Sequence, residues 1–385
     1  MIGRVRAAFG AGASSPEERV AQLKAQLAEA RADVEAWKGK AAHKTASLDD
    51  LAARLKVMEA EVEDLRARAS IFRREAPSPA IVRQSFAQRW RTFRARASAS
   101  APTEREARLI GASAAYRQAL EHGASALGAE THQMSLEGLT WWVPVQDSVL
   151  GSGDEWLEKQ RFPYHGILQT RELAVGGIML DLGANIGRMA IPRVILGDVS
   201  AVYCAEPDPV SFRCLASNVI DNGLRGFVMP DQTAIGDTNG TVVLRRAGAS
   251  GGFHVVPGAT VSDSMIEVPS TTLDAWVERL GIDLDAVTFI KVDVEGYERR
   301  LVRGASRVLA CRHIVWQMEI KPAGLRSAGD EPSELYADLA HSFTHFIDLN
   351  RRAAGARVRP IAELADALAY IEPRDKTDIL LFVTA

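Results

Sequence analysis

"IMLDLGANIGRMA", residues 178–190, carries a short apolar segment straight into two glycines four positions apart. A short apolar run bounded by glycines reads as a buried strand, and the glycine-containing residues after it read as a turn opening a helix. The spacing is D-x-G-x-x-x-G, with Asp181, Gly183 and Gly187 in those places. Gly183 lets the chain turn tightly and approach a ligand. Gly187 lets helix and strand pack closely, and Asn185 stands where the helix N-terminus opens. This is not the G-x-G-x-x-G of pyrophosphate binders. An aspartate in place of the first glycine repels a diphosphate and welcomes an ammonium or a sulfonium.

Nineteen residues after Gly187, Glu206 in "YCAEPDP" ends the next candidate strand. An acid there accepts hydrogen bonds from ribose hydroxyls. The two features together describe a pocket for an adenosine joined to a cationic amino acid, which is S-adenosylmethionine. Thr233 and Ala234 in "DQTAIGD" follow the third strand, where backbone contacts to the adenine are expected.

Around this motif, short apolar strands alternate with stretches of helical length. The strands are expected at Ile178–Leu182, Ala201–Ala205, Gly226–Met229, Val287–Val292, Ile314–Ile320, Phe343–Leu349 and Ile379–Val383. That alternation predicts an α/β fold with a mostly parallel, doubly wound sheet. "GTVVLRRAGASGGFHVV" and "SMIEVPSTTLDAW" interrupt it and read as a hairpin-like insertion at the sheet edge. Asn218 and Asn222 read as structural, with Asn222-Gly223 stopping a helix.

In order along the chain, "LDLGANIG", "AEPDP", "SNVIDNG", "TAIGD", "STTLDAW", "FIKVDVEGYERRLVRGA" and "WQMEI" resemble the FkbM family of S-adenosylmethionine-dependent methyltransferases. The resemblance covers roughly Leu139 to Ala385, and D-V-E-G-x-E after a strand is its most specific element. It implies a Rossmann-like class I methyltransferase fold of seven strands, the last antiparallel. It also implies O-methylation of sugars, glycans or polyketide-type hydroxyls.

Methyl transfer to an alcohol needs acceptor and methyl held in near-attack geometry and one base within hydrogen-bond reach of the hydroxyl. Asp293 and Glu295 at the end of the fourth strand, and Glu319 at the end of the fifth, are the acids expected on the rim above the cofactor. Asp293 is favoured as the acid nearest the methyl, with Glu319 or Glu295 as base or acceptor ligand. His254 is a second candidate base if its glycine-flanked insertion closes over the acceptor, and otherwise an ordinary surface histidine. His165 in "FPYHG" is a weaker acceptor-side candidate. Glu298 reads as a capping-box partner. Asp293, Glu295 and Glu319 are also hard oxygen donors of the kind magnesium takes, although nothing in the sequence requires a metal.

The N-terminal part follows a different rule. With heptad position a at Val20, the a series runs through Leu27, Val34, Ala41, Leu48, Leu55 and Val62 to Ala69. The d series runs from Leu23 to Phe72, with Lys44 its single charged member. An unbroken 3,4 spacing predicts a coiled coil over residues 16–76 and hence a homo-oligomer, the alternative being a helix folded back on the catalytic domain. Pro77 and Pro79 stop it. In residues 80–97, Val82, Phe86, Trp90 and Phe93 recur at helical spacing among Arg83, Arg89, Arg91, Arg94 and Arg96. Such a helix suits an anionic membrane surface or packs its aromatic stripe on the neighbouring domain. The expected organisation is therefore an arm at 1–15, the coiled coil at 16–76, a basic helix, linker and helical segment at 77–133, and the methyltransferase domain at 134–385.

Composition narrows the class. The 385 residues are 47% hydrophobic with a formal charge of −3. This balance gives no electrostatic argument for nucleic acid, and the sequence near the motif offers no aromatic-rich basic groove for it. Cys204, Cys214 and Cys311 form no paired framework, as in a reduced compartment. No window offers about eighteen uncharged apolar residues. These features predict a cytoplasmic protein, peripheral at the membrane if residues 80–97 bind it, acting on a small-molecule or glycan acceptor. The competing class is a coiled-coil scaffold with a non-catalytic methyltransferase fold; the joint presence of Asp181, Glu206 and Asp293 favours the enzyme.

Overall fold

The computed structural model describes chiefly residues 103–145, 176–245, 265–349, 358–371 and 376–384, with short gaps in the first block and a few isolated positions elsewhere. Apart from the last two residues, the chain divides into two compact units, Met1–Arg73 and Arg74–Val383. In the first unit, the described residues Lys24, Ala25, Ala28, Glu29, Arg31, Ala32 and Lys56 are helical and exposed. None of them is an a or d position, so the expected coiled coil lies outside the described residues.

The second unit begins with helices α1 (Glu104–Ala112) and α2 (Ala114–His122) and a hairpin of β1 (Thr131–Leu136) and β2 (Leu139–Pro144). Then come β3 (Ile178–Leu182), α3 (Ala190–Leu196), β4 (Ala201–Ala205), α4 (Pro209–Asp221) and β5 (Val228–Asp231). Four further strands, β6 (Ala234–Gly236), β7 (Gly240–Arg245), β8 (His254–Val255) and β9 (Met265–Thr272), lead into α5 (Leu273–Arg279). The chain continues with β10 (Val287–Val292), α6 (Glu298–Arg303), α7 (Ser306–Leu309), β11 (Val315–Ile320), α8 (Pro322–Ser327) and α9 (Pro332–Ser342). It closes with β12 (His345–Asp348), β13 (Val358–Pro360), α10 (Leu364–Ala367) and β14 (Thr377–Phe382).

The main sheet has the order β13-β12-β14-β11-β10-β3-β4-β5. Its centre is parallel, and β14 enters antiparallel between β11 and β12. All five residues of β3 and of β4 are buried, as strands covered on both faces must be. All seven expected strands form, three with the expected bounds and four with ends shifted by one or two residues. An eighth, β13, pairs antiparallel with β12 at the edge. It spans three residues, too few to carry a period. The insertion also departs from expectation: β6, β7, β8 and β9 make a separate four-stranded sheet rather than an edge hairpin. Its apolar side, Leu244, Val255 and Val268, packs with Tyr297 and Ala328.

The boundary expected at residue 134 is not one in the structure. Leu109 and Tyr116 are 1% and 0% exposed within the same core as Leu180, Met229 and Trp276. Thr103 caps α1 by accepting the Glu106 N–H and reaches across to the Gly226 carbonyl. Buried Glu106 then accepts from Arg225 Nε at 2.6 Å and from the Tyr116 hydroxyl at 3.4 Å. Further upstream, Trp90 is buried and donates its ring N–H to the Gly138 carbonyl, while Phe93 meets Phe227 edge-on at 5.0 Å. At these two positions the aromatic stripe faces the domain.

Asn218 and Asn222 are structural, as expected: Asn222 is the C-cap of α4 with Gly223 after it at φ 66°, and both side chains also reach beyond the helix. They lie one turn apart on α4 and meet the edge of β2. Asn222 accepts the Thr140 N–H at 2.9 Å and donates to the Thr140 carbonyl at 2.7 Å. Asn218 does the same for Trp142, at 2.6 and 3.2 Å. The two amides thus stand in for a neighbouring strand, satisfying backbone groups that an edge leaves open. Among the described residues, no helix is long and apolar enough to cross a membrane.

Candidate active site

Parallel strands β3, β4, β10 and β11 all deliver their carboxyl ends to one rim, where ligands bind in sheets of this kind. At β3 the chain turns through Gly183 at φ +85° and Asn185 at φ 51°. The Gly183 and Ala184 N–H groups donate to the Ala205 carbonyl at the end of β4. Gly183 does not leave its space to a ligand: a Cβ there would stand 1.8 Å from the Asp293 carbonyl oxygen. Gly187, at φ +92°, admits Leu215 of α4 instead of the strand. Asn185 lies in the turn ahead of α3, which begins at Ala190, and its side-chain oxygen accepts the Ile186 N–H.

Glu206 closes this loop. Its two carboxylate oxygens accept the Asn185 N–H at 2.7 Å and the Asp208 N–H at 2.9 Å, and Asp208 caps α4. Burial, then the Asp208 charge, pushes the Glu206 carboxyl up to about 8. Each oxygen has a lone pair left to accept a ribose hydroxyl. Asp181 is buried one strand away, and its Oδ2 finds no hydrogen-bond partner among the described residues. Burial raises it to about 7, with Lys291 opposing and Asp293 adding to the rise. An orphaned buried carboxylate oxygen beside a ribose-type acid fits a ligand that brings an ammonium. Thr233 is buried and lies within hydrogen-bond reach of the Ala234 and Pro269 carbonyls, so its hydroxyl serves the small sheet. Ala234 opens β6 of that sheet.

The three rim acids come together. Carboxylate oxygens of Asp293, Glu295 and Glu319 all lie within 4.8 Å of one another. Asp293 follows β10, and its N–H donates to the Leu182 carbonyl, which binds the acid loop to the end of β3. Glu295 sits at φ 53°, a conformation a non-glycine residue holds only when its surroundings enforce it. Here the enforcement is visible: Gly296 lies directly against the Gly324 backbone, and Glu298 Oε1 accepts the Gly296 N–H at 3.0 Å. Glu298 is therefore a brace within its own loop rather than a capping-box residue.

Three lysines, not singled out in the sequence, surround these acids. Lys291 contacts Asp293 at 3.3 Å and Asp378 at 3.1 Å, Lys321 contacts Glu295 at 2.8 Å, and Lys376 contacts Glu319 at 2.6 Å. Lys291 and Asp293 share a sheet face by the two-residue period of a strand. Burial alone would lower the Lys291 ammonium, but Asp293, Asp378 and Glu319 outweigh it and raise it. Glu319 is pushed up to about 8, first by burial and then by Asp293, with Lys291 and Lys376 opposing. Glu295 is raised by burial and Asp293. The three carboxylates form the oxygen set that magnesium takes, yet each already faces an ammonium, so their charge is compensated within the chain.

His254 lies in β8 of the small sheet, paired with Arg245; its side chain is outside the described residues, as is His165. Of the three, Lys291 alone left a signal in the sequence, the interruption of apolar "FIKV", and its partner Asp378 lies 87 residues away.

Residues 181–354 match the family described as "Methyltransferase FkbM domain". Over 170 residues the chain is 27% identical to "31-O-demethyl-FK506 methyltransferase FkbM" of Streptomyces tacrolimicus, covering 36% of this chain and 62% of that protein. The chain thus spans less than two thirds of the length of this relative. Among solved structures, precorrin-6y C5,15-methyltransferase from Geobacter metallireducens aligns at TM-score 0.29 and 10% identity, covering 56% of this chain and 85% of that one. M. jannaschii TYW2 in complex with AdoMet aligns at TM-score 0.31 and 10% identity, covering 66% and 85%. Likenesses this low carry no weight for ligand or substrate.

Proposed function

We propose that this chain, a methyltransferase of the FkbM family by its domain at residues 181–354, transfers the methyl group of S-adenosylmethionine to a hydroxyl on a sugar, glycan or lipid-linked glycan. The observation that carries this reading is the meeting of three carboxylates on the rim, one of them, Asp293, in backbone contact with the glycine turn after β3. Asp181 would hold the cofactor's ammonium and Glu206 its ribose, and the bound cofactor supplies an electrophilic methyl on a sulfonium. Glu319 is the base: it is the most buried of the three rim acids, and because burial and Asp293 raise its carboxyl, its ionised form takes a proton more strongly than an ordinary carboxylate. Asp293 orients the acceptor, with Glu295 beside it.

Peripheral membrane contact belongs to the same proposal. With Trp90 and Phe93 turned inward, it falls to Arg83, Arg89, Arg91, Arg94 and Arg96. Co-sedimentation with anionic liposomes should drop when these arginines are replaced by serine, and unchanged association would end the idea.

The experiment for the function is calorimetric titration of S-adenosylmethionine and S-adenosylhomocysteine into the full chain and into Glu206→Ala. Saturable binding weakened by roughly tenfold or more in the variant is expected from losing two charge-assisted acceptor sites. A folded chain that binds neither compound overturns the reading.

A further inference from the structure

We propose that Lys376 is a positioning residue for this reaction, its ammonium covering the Glu319 carboxylate until the acceptor hydroxyl takes that place. The inference rests on the function proposed above, with Glu319 as base.

The geometry of the pair differs from that of the other two lysines. Glu319 is 5% exposed and the Lys376 side chain 58% exposed, so a lysine whose stem lies in solvent places its partly desolvated ammonium on a buried carboxylate at 2.6 Å. Lys291, 5% exposed, is enclosed between Asp293 and Asp378 and has nowhere to go. Lys321 serves Glu295. Strand register explains the difference. Glu319 pairs with Asp378 across the antiparallel β11 and β14. Two residues before Asp378, Lys376 falls on the same face, at the open end of the rim.

A buried carboxylate without a partner is costly, and removing one member of such a pair leaves the other charge stranded. Lys376 meets that cost in the acceptor-free enzyme. An exposed lysine is also easily displaced, because its ammonium regains water when it leaves. The acceptor hydroxyl then donates to Glu319. As its oxygen bonds to the methyl carbon, the carbon–sulfur bond breaks with its electron pair going to sulfur, and the hydroxyl proton passes to Glu319. Protonated Glu319 no longer attracts a cation. Return of Lys376 therefore accompanies release of that proton to water, which resets the base.

Water is the smallest hydroxyl acceptor and provides the test. In the full chain with S-adenosylmethionine and no other acceptor, assayed at about pH 9.5 so that Glu319, raised to about 8, is ionised, Lys376→Met should raise formation of S-adenosylhomocysteine and methanol several-fold at unchanged cofactor affinity. Lys376→Arg, which keeps a cation in place, should suppress that leak, and Lys376→Met with Glu319→Gln should abolish it. A second measurement needs no cofactor: limited acetylation of the full chain with acetic anhydride, read by mass spectrometry. Lys376 should react several-fold faster in Glu319→Gln, where its ammonium has lost its partner. Equal labelling in both chains, or a Lys376→Met chain that binds cofactor normally and leaks no more than wild type, overturns the proposal. A wild-type chain that binds no cofactor strikes the function itself, while the labelling still reports on the pair.

Discussion

The carbonyl oxygen of Asp293 occupies the space where any side chain on Gly183 would begin, 1.8 Å from an added Cβ. The glycine turn and the acid loop are thereby in backbone contact, and neither moves without the other. Gly183 also sits at φ +85°. For alanine the left-handed conformation alone costs roughly 1–2 kcal/mol, before the clash is counted. Gly183→Ala should lower stability by at least about 2 kcal/mol and abolish cofactor binding. Chemical denaturation and calorimetry on the same preparation check both effects.

A second consequence concerns pH. Asp181 and Glu206 sit at about 7 and about 8, above their ordinary 3.8 and 4.5. A carboxyl raised on folding favours the native state while protonated, and that contribution is lost as pH rises through its folded value. The cofactor-free chain should therefore lose melting temperature progressively from about pH 4, where the unfolded carboxyls ionise, to about pH 8, where the folded ones have done so. Cofactor affinity should move the opposite way, rising as Asp181 ionises and attracts the ammonium. Asp181→Asn should remove the rise near pH 7 and leave the steps from Glu206 and the other raised acids. Calorimetry across that range separates them.

What could be read in advance was local. Asp181 and the two glycines lie within seven residues, and Asp293, Glu295 and Glu319 end or follow strands whose apolar runs are plain. What escaped was set by partners distant in sequence. Lys291 reads only as a break in an apolar strand until Asp378 is brought beside it. Gly183 showed its conformational need but not that Asp293 backbone, rather than a ligand, would fill the space. The β1–β2 hairpin was missed because "THQMSL" is barely apolar, burying only Met134 and Leu136 on one face. Its other support comes from Asn218 and Asn222, whose partners lie 76 and 82 residues away.

That support is itself testable. Asn218 makes three hydrogen bonds, two to Trp142 and one to the Ile186 carbonyl in the turn after β3. Asn218→Ala leaves these backbone groups without it. Stranding buried polar groups costs about 1–3 kcal/mol each, so a loss of about 3 kcal/mol is expected. Because Ile186 follows Asn185, whose N–H is held by Glu206, cofactor affinity should fall as well. Asn222→Ala, with no bond to that turn, should lower stability with a smaller effect on affinity.

The helices ahead of the family match bear on where the chain can be cut. A fragment of residues 135–385 would lose Leu109 and Tyr116 from the core and leave Arg225 without Glu106. Removing large buried side chains costs about 3 kcal/mol each, and net stabilities are about 5–15 kcal/mol. That fragment is expected to lack a cooperative unfolding transition. A fragment of residues 74–385 retains α1, α2 and the Trp90 and Phe93 contacts, and should melt cooperatively and bind cofactor as the full chain does. The same pair of proteins tests the heptad: at micromolar concentration the full chain should sediment as a dimer or trimer, and residues 74–385 as a monomer. A monomeric full chain would remove the coiled coil from the account. Cooperative melting and full cofactor affinity in residues 135–385 would show instead that α1 and α2 are dispensable to the domain they help to cover.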